Sequence, residues 1–142
     1  MAMTSKDPSI DQDRLKALLG VLGRERLGQL LQLLQERLTA LRADMASKGP
    51  DWRLQRAALH QSLGSASSLG LTALAASLGR LEAAIDQALE AKADNLNPHA
   101  GAVARALADV AALQAQVETA LTRQFPGLTA DHAGNGSGAL NR

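Results

Sequence analysis

Between Arg24 and Ser47 the apolar residues Leu27, Leu31, Leu34, Leu38, Leu41 and Met45 fall at alternating spacings of four and three. At 100° per residue this row makes one narrow stripe along a helix, and such a stripe has to be covered by other helices. A second row, Leu71, Leu74, Leu78, Leu81, Ile85 and Leu89, repeats the pattern. A third runs through Val103, Leu107, Val110, Val117 and Leu121. Composition closes off the alternatives. The 142 residues include 28 Ala and 26 Leu against four Val, two Ile, one Trp, one Phe and no Tyr. Strands favour β-branched and aromatic residues, whereas Ala and Leu lead the helix scale. The chain is therefore expected to be all-α and to form one domain.

Pro, Gly and small polar residues set the expected boundaries. Residues 1–9 read as a flexible N-terminus. A short helix follows from Ile10 to Leu22, capped by Ser9 or Asp11 and bracketed at its end by Gly20 and Gly23. The second helix runs from about Arg24 to Ser47 and stops at Lys48-Gly49-Pro50. Asp51 caps a third, expected to reach Leu69 with Gly70 as terminator. The fourth spans Leu71 to about Lys92. Residues 93–98 read as a loop with Pro98 at a first helical position. The fifth continues to about Gln124, ended by Pro126-Gly127. Residues 126–142 are Gly-, Ala-, Asn- and Ser-rich and read as a disordered tail. Four long amphipathic helices with short connections predict an antiparallel up-down four-helix bundle over residues 10–125, with the first helix as a short extra lid.

Several function classes are disfavoured at once. Without Cys there is no disulfide, thiolate metal site or cysteine nucleophile. Fifteen basic and 14 acidic residues give a net charge of +1, and with so few aromatics the chain lacks both the electrostatic footprint and the stacking platforms of a nucleic-acid binder. The apolar runs are far too short to span a bilayer, and the first eight residues have no apolar signal region. Balanced charge also argues against a bundle that opens onto lipid. The expectation is a cytoplasmic, monomeric helical domain with a protein partner.

The third helix breaks the leucine pattern. With Leu54 at zero, Leu54, Ala58, Ser62, Ser65 and Leu69 fall within about 80° and are expected to face the core. Opposite them, between about 200° and 280°, lie Arg53, Arg56, His60, Gly64 and Ser67, with Leu63 at the edge of that outer face. A mid-helix Gly costs about 1 kcal/mol relative to Ala. At Gly64, one turn beyond His60, it leaves bare ground beside the imidazole for a bulky partner. Arg56 and Arg53, one and two turns before His60, are placed to meet an anion carried on the ring. His99 and His132 read as solvated bystanders. No two of the three histidines stand at metal-ligand spacing, so no zinc site is expected.

The run Ala58-Leu59-His60-Gln61-Ser62-Leu63-Gly64-Ser65-Ala66-Ser67-Ser68-Leu69-Gly70 resembles the signature of histidine-containing phosphotransfer (Hpt) domains, commonly His-x-Leu-Lys-Gly-Ser-[Ala/Ser]-x-x-Leu-Gly. Leu74, Leu78, Leu81 and Glu82 resemble the helix that follows it in the family, and Ile10-Asp11 with Leu15 through Leu41 resemble its opening helices. The likeness covers roughly residues 10–125. It implies that His60 is a phosphoacceptor, taking a phosphoryl group from the aspartate of one receiver domain and passing it to another. Imidazole suits this role, being both neutral and nucleophilic near pH 7. The implied partners are response-regulator receivers, a hybrid sensor histidine kinase, or both. The implied Mg²⁺ belongs to the receiver, so the chain needs no cofactor and would be a carrier without kinase activity.

Two positions depart from the signature. Ser62 and Leu63 stand where the family has Leu and Lys. That Lys would lie beside the phosphohistidine. Its loss leaves three readings: Arg56 or Arg53 substitutes for it, transfer is slowed, or the bundle has become a non-catalytic module that binds a receiver or kinase. Leu63 would then extend an apolar docking patch.

Overall fold

The computed structural model describes residues 9–47, 51–90 and 96–128. It contains five helices, α1 (Gln12–Leu22), α2 (Arg24–Ala46), α3 (Trp52–Ser68), α4 (Thr72–Glu90) and α5 (Leu96–Gln124), and no strand among the described residues. The all-α expectation holds. In the bundle α2 packs on α3, α3 on α4 and α4 on α5, and α5 returns to α2, with α1 lying on α2.

Local chemistry explains where the helices begin. Asp11 accepts from the backbone N–H of Arg14 at 3.1 Å, and Asp51 from that of Leu54 at 3.2 Å. Each satisfies one of the orphan donors of a first turn, a contact worth about 1 kcal/mol. The end of α3 is a Schellman turn: Leu71 N–H donates to the Ala66 carbonyl at 2.9 Å and Gly70 N–H to that of Ser67 at 3.1 Å. Gly70 sits at φ +80°, and a Cβ there would stand 3.0 Å from Cγ of Arg14 and 3.3 Å from the Asp11 carbonyl. Both backbone conformation and space therefore demand glycine. α1 is fastened to this turn, since Asp11 N–H donates to the Gly70 carbonyl at 2.7 Å and Nε of Arg14 to that of Ser68 at 2.9 Å.

The core is built from the expected seams. Leu27, Leu31, Leu34, Leu38, Leu41 and Met45 of α2 are buried, as are Leu71, Leu74, Leu78, Leu81 and Ile85 at and along α4, and Val103, Val110, Val117 and Leu121 of α5. Leu89 and Leu107 are partly buried against them. The expectation for α3 needs correcting. Its inward face is Gln55, Leu59, Ser62, Ala66 and then Leu69, whereas Leu54 is 70% exposed and Ala58 is exposed. The stripe is turned by about 60° from the expected one. Leu59, wholly buried, sets the orientation: it reaches the core, while Ala66 and Ser62 let the neighbouring helices come close.

Two boundaries also differ. α5 begins at Leu96, so Asn97 and Pro98 belong to its first turn and not to a loop. The first N–H groups of a helix have no intrahelical partner, and proline is tolerated there. At the other end Leu128 is 2% exposed and joins the core, so the chain is held through the Pro126-Gly127 turn. Ser9 is buried as well. The remainder of the expected tail, 129–142, and of the expected flexible N-terminus, 1–8, lies outside the described residues, as does the fourth helix beyond Glu90.

Candidate functional site

α3 and α4 are joined by the turn at Leu69–Leu71, and residues equidistant from Leu71 face each other. Cδ1 of Leu63 lies 3.6 Å from where a Cβ on Gly79 would stand, His60 meets Glu82, and Arg56 meets Asp86. This register defines an antiparallel pair and brings four ionisable side chains onto one seam.

His60 projects from α3 with its side chain 69% exposed. Its Nδ1 is 2.9 Å from Oε2 of Glu82, whose side chain is only 15% exposed. A carboxylate can only accept, so Nδ1 carries the hydrogen and donates it. In the neutral form of this exposed ring Nε2 is then the nitrogen without a hydrogen. Nothing lies within 4 Å of where a Cβ on Gly64 would stand, so the surface one turn beyond the imidazole is open. Ser67, a further turn along, is exposed on the same side.

Arg56 has a different place from the one its spacing suggested. Its Nε donates to Oδ1 of Asp86 and its Nη2 to Oδ2 at 3.3 Å, a two-point contact. The Asp86 carboxylate, first as hydrogen-bond acceptor and then as a charge, holds the guanidinium above its ordinary pKa, and Glu82 adds to that rise. Nη2 stands 3.6 Å from Oε2 of Glu82, the same oxygen that takes the His60 hydrogen. Arg56 is therefore already engaged by carboxylates. Arg53 is exposed beyond it, and its head joins none of these contacts. Leu63 is half-buried toward α4.

The structure thus brings together His60, Arg56, Glu82 and Asp86 and leaves Arg53 apart. Asp86 was missed in the sequence, and Glu82 entered only as part of a resemblance. The signal was present: with a tight turn at Gly70-Leu71, counting outward on both arms from Leu71 pairs 60 with 82 and 56 with 86. Among the described residues no three His, Asp or Glu side chains converge to hold a metal ion, and no helix is long and apolar enough to cross a membrane. The side chain of His99 and all of His132 lie outside the described residues. No family model matches the chain, and no match is found among curated proteins or solved structures.

Proposed function

We propose that this protein is a histidine phosphotransfer carrier of a two-component phosphorelay, with His60 as phosphoacceptor. The single observation that carries the reading is the exposed imidazole whose Nδ1 is occupied by Glu82, leaving Nε2 as the nucleophile. In the transfer, Nε2 attacks the phosphorus of a receiver's aspartyl phosphate. The N–P bond forms, the P–O bond to the aspartyl carboxyl breaks, and the carboxylate leaves. The ring, still holding the Nδ1 hydrogen, becomes positively charged. A carboxylate 2.9 Å away stabilises that charge as it develops, without reorganisation. Return of the phosphoryl group to a second receiver retraces these steps.

Other features support the same reading. The open surface at Gly64 admits a second domain close to the ring. The packing of α2 through α5 fits an antiparallel up-down four-helix bundle with α1 as the extra element. On this reading the partners are receiver domains and a hybrid sensor kinase in the cytoplasm, Mg²⁺ acts on the receiver side, and the protein works as a monomer. Incubation with a phosphorylated receiver is expected to move label onto the protein in acid-labile, base-stable form. A wild type that stays unlabelled, or a His60→Gln variant that labels equally, overturns the proposal.

A second reading has an observation of its own. Arg56, the cation one turn before His60, is already paired with Asp86, and the family Lys is replaced by the half-buried Leu63. A bundle that binds receivers without taking phosphoryl would show this. It predicts receiver binding that survives His60→Ala, with no uptake in the wild type.

A further inference from the structure

Two side chains compete for a single oxygen. Oε2 of Glu82 accepts the Nδ1 hydrogen of His60 at 2.9 Å, while Nη2 of Arg56 waits at 3.6 Å, beyond hydrogen-bonding distance. A guanidinium bonds a carboxylate more strongly than a neutral imidazole does, because the charge-assisted contact is roughly twice as strong. Left to itself, Arg56 would be the better partner for Glu82. It is held away: Asp86, one turn further along α4, takes both Nε and Nη2 of the same guanidinium.

We infer that Asp86 is a positioning residue that restrains Arg56 and so reserves the Glu82 oxygen for His60, fixing which imidazole nitrogen is free. Asp86 does not touch the ring and acts only through Arg56. The arrangement also gives Arg56 a role other than the one its position beside His60 suggested. It is a neighbouring positive charge that offsets Glu82 without taking its lone pair. The functional meaning of this inference rests on His60 being the phosphoacceptor. The tautomer itself can be read without any phosphoryl donor.

The test is nitrogen-15 NMR of the His60 ring at pH 8.5, where neutral imidazole tautomers are distinguished by their chemical shifts. Wild type is expected to be predominantly protonated at Nδ1. In Asp86→Ala the released guanidinium moves onto Glu82, and the ratio of the Nδ1–H to the Nε2–H form should fall by about twofold or more. The double variant Arg56→Ala/Asp86→Ala removes the competitor too and should return to the wild-type ratio. That return is what a merely structural role for Asp86 would not produce. Asp86 is 40% exposed, so the variants are expected to stay folded, checked by their amide spectra. An unchanged ratio in Asp86→Ala, or a double variant as altered as the single one, overturns the inference. Uptake of phosphoryl from phosphoramidate is measured in parallel. If the ratios behave as expected while the wild type takes up no phosphoryl, the carrier reading falls and the positioning role stands. If the wild type is labelled while the ratios do not move, the positioning role falls alone.

Discussion

Two polar seams among the described residues of the bundle are built on opposite principles. Between α2 and α5 the side chain of Gln114 is buried: its amide nitrogen donates to the Gln35 side-chain oxygen at 2.9 Å and its oxygen accepts from Nε of Arg42 at 2.6 Å. Both ends of the amide are satisfied by partners on one neighbouring helix. Between α3 and α4 the groups are ionisable and, the more buried Glu82 apart, lie about half or more in solvent. A buried amide with all its partners present fixes how two helices lie against each other. An exposed chain of charges does little for stability, because water and salt screen it. On the carrier reading its value lies in orienting Nε2 of His60.

This contrast can be broken by mutation. The largest expected effect is at His60: His60→Gln should abolish phosphoryl uptake from a phosphorylated receiver while the thermal midpoint stays unchanged, as befits an exposed side chain. Next is Gln114→Ala, which strips partners from Arg42 and Gln35 and leaves a void. It should lower stability by about 1–3 kcal/mol, seen as a lower urea midpoint, with uptake rates untouched. If uptake fell with it, the two seams would not be separable.

Gly64→Ala sharpens the comparison further. Nothing stands near the new methyl group, so helix propensity alone should raise stability by about 1 kcal/mol. Transfer from a receiver should slow because the docking ground is partly filled, whereas labelling by the small donor phosphoramidate should not change. The smallest effect is expected for the folding stability of Asp86→Ala, within about 0.5 kcal/mol in urea unfolding, since exposed ion pairs contribute little. A larger loss would assign this seam a structural role as well.

The leucine rows of α2 and α4 were legible because a stripe repeated over six positions admits one orientation of a helix. α3 offered two apolar stripes, one through Leu54 and another through Leu59. Spacing alone does not choose between them, and the choice is made by what lies on either side of the helix. The start of α5 was misjudged for a local reason, since proline marks a first turn without marking which residue of it. His60 and Gly64 were found from their side of α3, a property that survives a rotation of about 60° because the outer face is wide. Asp86 escaped because its importance is relational: it appears ordinary on α4 and acquires a role only once the α3–α4 register places Arg56 opposite.

That register has an origin. The facing pairs are counted from Leu71 at the end of the Gly70 turn, and that turn is clasped by Arg14 of α1 and by Asp11, its N-cap. His60 lies eight residues from Ser68, the last residue of α3, about 12 Å along the helix. The first helix, which approaches neither His60 nor Glu82 in sequence, therefore works as the fixed end of a ruler. It secures the zero mark from which the alignment of imidazole and carboxylate is measured.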